Sequence, residues 1–415
     1  MSEYSQFLKL SADKAEDQFH RGKIMKAIGT HDEKVEEMKA GQFINWQDAR
    51  GFAADVKDYV LDNLSDLLEK FESQISMRGT KVLWAQNAEE AQGYILDIAK
   101  EHNAQKIIKA KSMTTEEVAF NETCEAAGYQ VMESDLGELI VQLAGEKPYH
   151  IVTPAMHKNT AEIAELFHDK LGTPITDSAE ELTMAARKYL RSGYVTADIG
   201  VTGANFLIAE EGAVVMTENE GNGRLTMACP PVHVVIAGIE KILPRLEDLA
   251  LFLPLLATSG TGQQVTCYNS IIRGPKTEDE PDGPEYMYVI LLDNGRSDIF
   301  QSDKFRESLR CIRCGACLNA CPVYQTIGGH TYNTPYQGPI GSVITPQMRG
   351  LQTWHHLPYA SSLCAACTFS CPVKINLHEL LLESRAEITK SHSGPKIWGP
   401  ALRIWALIFS SRRML

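Results

Sequence analysis

The chain has 415 residues, 44% of them hydrophobic, and a formal net charge of −13. That length exceeds one average domain, and that composition supports a sizeable core. The acidic balance excludes nucleic acid as the main partner, since phosphate binding needs clustered Lys and Arg, but it suits docking on a basic protein surface.

Residues 1–18 show no apolar h-region and no cleavage pattern, so no export is expected. Residues 1–78 read as a helical segment. Phe52, Val56, Val60, Leu64, Leu67, Phe71 and Ile75 recur at steps of three and four, with Asp62, Asp66, Glu69 and Glu72 between them. A stripe of this kind receives a partner or, more commonly, packs on the adjoining domain, which is the expectation here.

Residues 79–295 alternate between strand and helix patterns. β-rich runs fall at Lys81–Ala85, Lys106–Ala110, Gln130–Glu133, Ile151–Thr153, Phe206–Ala209, Ala213–Met216, Val232–Ile236 and Met287–Leu292. Helical patterns fall at Ala88–His102, Thr114–Ala127 and Thr160–Leu171. The alternation predicts an α/β domain with a largely parallel sheet. Gly274–Pro284 reads as a charged, Pro-rich loop.

Ligands in open α/β sheets bind beyond the carboxyl ends of the strands. Polar residues gather there: Lys111, Ser112, Thr114, Thr115 and Glu116, then Thr202, Gly203 and Asn205, then Glu210, Glu211 and Arg224. Ser112 also suits a helix N-cap, and Arg224 suits a carboxylate clamp or an ordinary loop position. Gly260-x-Gly262 and Gly221-Asn222-Gly223-Arg224 read as turns more readily than as anion loops. No Gly-x-Gly-x-x-Gly or Walker loop occurs, and no feature demands a flavin.

Residues 296–390 hold seven of the ten cysteines, as Cys311-x2-Cys314-x2-Cys317-x3-Cys321-Pro322 and Cys364-x2-Cys367-x3-Cys371-Pro372. Zinc needs only four ligands and seldom takes three cysteines at this spacing into Cys-Pro, and a disulfide framework is the weaker alternative again. The spacing is that of paired cubane iron–sulfur clusters, in which the fourth cysteine of a run ligates the other cluster. Cys311, Cys314, Cys317 and Cys371 would hold the first [4Fe–4S]. Cys321, Cys364 and Cys367 would hold the second, whose remaining position is Ser361. That iron takes a non-cysteine ligand or is lost, leaving [3Fe–4S]. His330, His355 and His356 are nearby in sequence and are capable ligands, although each is more simply a hydrogen-bonded loop histidine. Cys124, Cys229 and Cys267 stand alone in apolar stretches and are expected to be small buried hydrophobes. Glu379–Glu387 reads as a short helix.

Residues 391–415 form an amphipathic tail with Trp398, Leu402, Trp405 and Phe409 near helical spacing and Arg412-Arg413 after them. It suits an interface with a membrane or partner, or docking on its own protein. The longest apolar runs, Leu249–Leu256 and Ile397–Phe409, are interrupted by Pro254 and Arg403 and fall short of the ~18 residues of a membrane span. The expected location is the cytoplasm, with the tail suited to peripheral contact at the inner face of the membrane. The reduced cytosol also suits thiolate ligands.

KSMTTEE (Lys111–Glu117), SDLGELIVQLAGEKPYHIVTPAMHKN (Ser134–Asn159), VTGANFLIAEEGAVV (Val201–Val215) and NEGNGRL (Asn219–Leu225) resemble the LUD domain. CIRCGACLNACPVYQTIGGHTY, YQGPIG and SSLCAACTFSCPVKINLHELL resemble the iron–sulfur (B) subunits of lactate-utilisation complexes. The resemblance covers roughly residues 15–390. It implies an α/β LUD domain, similar to CoA-transferases and ribose-5-phosphate isomerase, beside a helical ferredoxin-type two-cluster domain. The expected division is 1–78, 79–295, 296–390 and 391–415. The resemblance also implies the cluster ligands given above, with the shortfall in the second set shared by the family. It further implies two partners, a cysteine-rich subunit and a small LUD-only subunit, that together oxidise L-lactate to pyruvate without NAD and support growth on lactate. The tail after residue 390 finds no match.

The chain is therefore expected to be an electron-transfer subunit of an L-lactate dehydrogenase-type oxidoreductase rather than a complete enzyme. The electron acceptor and the catalytic residues stay unassigned. The alternative from another class is a redox-sensing or small-molecule-binding LUD protein with regulatory clusters. A third reading places lactate oxidation on this chain alone, at an open iron of the second cluster.

Overall fold

The computed structural model describes residues 2–391 and 398–409. Helices Glu3–Glu16, Gln18–Gln42, Trp46–Asp62 and Leu64–Ser76 lead the chain. Asn45 opens the third by accepting from the amides of Gln47 and Asp48. The predicted single stripe breaks at Asn63, where the backbone leaves helical geometry. Val60, Leu64, Leu67, Phe71 and Ile75 are buried against Leu207, Val214, Val235 and Val289. Phe52 lies before the break and is 65% exposed. The stripe thus covers the α/β core as expected, without its first member.

The strands in chain order are β1 (Lys81–Ala85), β2 (Lys106–Lys109), β3 (Gln130–Glu133), β4 (Ile199–Thr202), β5 (Phe206–Ile208), β6 (Ala213–Glu218), β7 (Val232–Gly238), β8 (Ile242–Leu243), β9 (Tyr268–Ile272) and β10 (Tyr286–Leu292). Six of them form a parallel sheet in the order β1-β10-β7-β4-β2-β3. The inner strands β7 and β10 read VHVVIAG and YMYVILL, the continuous apolar runs of strands buried on both faces. Helix Ala88–Glu101 packs on one face, and the leading helices cover the other.

A second sheet, β8-β5-β6-β9, is mainly antiparallel and was not anticipated. Its β5–β6 hairpin turns at Gly212 with φ +57°, where a Cβ would lie 2.3 Å from the Ile75 amide nitrogen. Only glycine fits that contact with the end of the fourth helix.

Several sequence expectations are corrected. Ile151–Thr153 is not a strand: the amides of Val152 and Thr153 donate to His150 Nδ1, folding the segment into a turn before Pro154. Thr114–Ala127 is two helices, Met113–Glu117 and Phe120–Ala126, separated by Ala119 at φ +49°. The predicted Glu379–Glu387 helix extends over Leu377–Lys390.

The cysteine region shares one core with the second sheet and the leading helices, in which Phe206, Phe252, Phe305, Tyr324 and Tyr332 meet Ala53 and Leu61. No described helix is long and apolar enough to cross a membrane. The tail contains helix Trp398–Phe409, where Ile404, Trp405, Leu407, Ile408 and Phe409 face solvent. Arg412 and Arg413 lie outside the described residues.

Candidate metal centre and adjoining cleft

The two cysteine runs repeat one backbone pattern. Arg313 and Gly315 flank Cys314 at φ +62° and +83°, and Leu363 and Ala365 flank Cys364 at φ +56° and +63°. Short helices follow, Ala316–Asn319 and Ala366–Ser370. This register pairs Cys314 with Cys364, Cys317 with Cys367 and Cys321 with Cys371, and it sets Ser361 opposite Cys311. Three of the four left-handed residues are not glycine, a conformation that persists only where the surroundings impose it.

The runs interleave in space. Cys311, Cys314, Cys317 and Cys371 line one small cavity with Ile151, Leu318, Ile340 and Ile375. Cys314 lies within electrostatic reach of Cys311 and Cys371, whereas Cys367 senses Cys321 and Cys364. Cys317 senses both Cys311 and Cys367, so the groups adjoin. Cys314, Cys317, Cys321, Cys367 and Cys371 are buried, Cys311 is partly buried and Cys364 is exposed. The second group thus reaches the surface, next to Phe369 at 72% exposure.

The lining fits an iron–sulfur group. Burial pushes the Cys314, Cys317 and Cys321 thiols up, and those of Cys367 and Cys371 to about 11, so these positions resist ionisation unless cations compensate. Backbone amides already point at the sulfurs: Val323 and Tyr324 at Cys321, Ala366 at Cys364, and Val373 and Ile375 at Cys371. The Ile375 amide donates to Cys371 Sγ at 3.3 Å. Amide–sulfur bonds of this kind tune cluster potentials.

A buried charge network ties the loop to the sheet. Glu240, two residues past β7, accepts from Arg296 Nε at 2.6 Å and from Arg313 Nη2 at 3.1 Å. Arg296 also forks onto both Glu117 oxygens at 2.8 Å, and Tyr336 donates to Glu117 as well. Burial opposes ionisation of Glu240, but Arg296 and Arg313 outweigh it and hold the carboxyl at about 2. Lys57 Nζ donates to the Glu240 carbonyl at 2.6 Å. The third helix, Trp46–Asp62, adds Arg50, whose guanidinium donates to the carbonyls of Thr368 and Phe369.

Beyond the carboxyl ends of β2, β4 and β7 lies a cleft of about 380 Å³. Lys111, Ser112, Thr114, Gly203 and Asn205 line it, as their strand-end positions suggested, and Lys241, Arg313 and Cys314 close it on the cysteine side. Ser112 is also the N-cap of Met113–Glu117. Glu116 opens instead into a neighbouring cleft of about 390 Å³ with Glu138, Glu146 and His330. Thr115 is buried, accepting from Lys109.

Other candidates fall elsewhere. Arg224 is exposed, with its guanidinium over the Tyr268 ring, and lines neither cleft. Glu210 and Glu211 sit at the β5–β6 turn. Gly221 and Gly262 adopt φ +79° and +66° as helix-flanking turns. His330 Nε2 bonds the Lys147 carbonyl at 2.7 Å, and its ring contacts Tyr149 and His157. His355 and His356 pack on Tyr4, and His356 also on Phe7. Cys124 is buried as expected, but Cys229 and Cys267 are exposed. Cys229 ends a short helix before Pro230-Pro231, and Cys267 precedes β9, an outer strand of the second sheet.

Sequence reasoning missed Lys57, Glu117, Glu240, Lys241, Arg296 and Tyr336. The signal for the Glu240-Lys241 pair was present, as two adjacent charges inside the apolar run VVIAGIEKIL.

Residues 68–292 match the LUD domain family, and residues 307–375 match the 4Fe-4S dicluster domain. Among curated relatives, the lactate utilization protein B of Oceanobacillus iheyensis is 43% identical over 404 residues, covering 96% of this chain and 82% of its own. Its counterpart in Geobacillus sp. is 47% identical over 347 residues, covering 83% and 73%. That of Bacillus subtilis is 45% identical over 347 residues, covering 83% and 72%.

Proposed function

The chain belongs to the LUD-domain family and, within it, to the lactate utilization protein B group, and from that premise we propose that it is the iron–sulfur electron-transfer subunit of a complex oxidising L-lactate to pyruvate without NAD. Its partners in this reading are a cysteine-rich subunit and a small LUD-only subunit. The units proposed for the chain are 1–78, 79–295, 296–390 and 391–415.

The observation that carries the reading is the sorting of seven cysteines into a group of four and a group of three, the second at the surface. Cys311, Cys314, Cys317 and Cys371 would hold one [4Fe–4S] cluster. Cys321, Cys364 and Cys367 would hold another, with Ser361 or a non-protein oxygen at the remaining iron. When bound, such clusters supply one-electron storage and release. The protein's own part is positional. Amides of Val323, Tyr324, Val373 and Ile375 stabilise the sulfurs, while Arg50, Lys57 and Arg313 bring positive charge near them. The exposed surface at Cys364 and Phe369 gives a redox partner a place to approach.

The test is iron and acid-labile sulfide quantitation with EPR on anaerobically purified protein, paired with growth on L-lactate of a strain carrying Cys311→Ala. Two reducible clusters in the wild type, and no growth of the variant strain, are expected. Zinc in place of iron, or unimpaired growth, would contradict the reading.

A further inference from the structure

The cleft beside the cysteine loop holds two cations with donors to spare. Lys241 is 8% exposed, and its ammonium makes no hydrogen bond or ion pair with any described residue. Arg313 commits Nη2 to Glu240, while its Nη1 is buried without a partner. Both side chains line the cleft next to Cys314. The Glu240 carboxylate is shared by Arg296, Arg313 and the nearby Lys241, so the cations at this end of the cleft outnumber it, and a seated anion would offset the excess. Lys111, the third cation of the cleft, is already bonded to Asp135 and to the Val152 carbonyl.

We propose that this cleft is a binding site for a small monocarboxylate of the 2-hydroxy or 2-oxo acid class, its carboxylate held by Lys241 Nζ and Arg313 Nη1. Two free donors match the two oxygens of one carboxylate. Asp135, Glu218 and Glu220 also line the cleft, and their charge disfavours phosphates and other multiply charged anions. The Asn205 side-chain amide, whose Oδ1 is taken by the Thr217 amide, offers its Nδ2 to a 2-oxygen, and Leu256 and Ala257 offer apolar contact for a short carbon chain. The choice of acid rests on the proposed role in lactate oxidation, whereas the anion site stands on the two cations. A competing role for them is to offset the charge of the nearby Cys311 thiolate, which acts on both.

The test is equilibrium binding of labelled L-lactate and pyruvate to the full-length, cluster-loaded protein, with inorganic phosphate as competitor. Lys241→Met and the cleft-filling Leu256→Phe are compared with wild type, and cluster absorbance and midpoint potentials are recorded for each. One saturable site per chain is expected, with affinity reduced at least tenfold in both variants and no competition by phosphate. Absence of saturable binding to the loaded wild type would overturn the proposal. So would unchanged affinity in Lys241→Met, or a shifted midpoint potential as that variant's sole effect, since the cations would then serve the cluster alone. If lactate reduces the assembled complex but does not bind here, the cleft assignment fails and the electron-transfer role stands. If the acid binds but never reduces the complex, that role fails and the cleft stands.

Discussion

Glu240 Oε1 accepts a 3.1 Å hydrogen bond from Nη2 of Arg313, joining the end of β7 to the residue that precedes Cys314. Because Glu240 also holds Arg296, the parallel sheet and the cysteine loop share one buried ion network. Glu240→Ala would leave the buried Arg313 guanidinium without its carboxylate and Arg296 with Glu117 alone, and a loss of about 3–5 kcal/mol in denaturant unfolding is expected. The pH dependence has a definite sign. The folded carboxyl is held at about 2, below its ordinary 4.5. Its contribution is therefore present above about 4.5 and fades as pH falls toward 2, an acid limb that Glu240→Gln should remove.

His233 sits wholly buried in β7, its Nε2 2.9 Å from Thr202 Oγ1, and burial lowers its pKa from 6.5 to about 3. The unfolded chain therefore takes up a proton that the folded chain refuses. Stability should fall as pH drops from about 6.5 toward 3, by on the order of 1–2 kcal/mol between pH 7 and pH 5. His233→Gln, measured beside wild type at both pH values, should show a correspondingly flatter response.

Ser361 occupies the register of Cys311 in the second backbone repeat, and its Oγ accepts from the Leu363 amide at 3.1 Å. Ser361→Cys is expected to supply a fourth thiolate there. The EPR spectrum of the reduced protein should change in one cluster signal and keep the other. A change in both signals, or in neither, would argue against the register.

Cys371 ends the second cysteine run in sequence but lines the cavity of Cys311, Cys314 and Cys317. Cys371→Ala and Cys364→Ala should therefore remove different cluster signals, although both cysteines belong to one run. Loss of the same signal in both variants would show that each run serves its own cluster.

Much of this was legible from residue patterns. β-rich runs located β1 and β3 to the residue, and the strand-end polar positions Lys111, Ser112, Gly203 and Asn205 do meet at a cleft. What escaped were features set by distant contacts. β4 is four residues, Ile199–Thr202, and owes its identity to pairing with β2 and β7. β9 is mostly exposed and carries little apolar periodicity. The break at Asn63 is invisible to a stripe that continues in phase through it and shows in the backbone, where Asn63 sits at φ −123° between the two helices. Buried charges such as Lys57 and Arg296 read as surface residues until their partners, 183 and 179 positions away, are known.

The central claim meets its most direct test in EPR of the anaerobic protein after addition of L-lactate, with and without the two partner subunits. Cluster reduction that requires the partners is predicted. Reduction of the isolated chain by L-lactate, or no reduction even in the assembled complex, would contradict it.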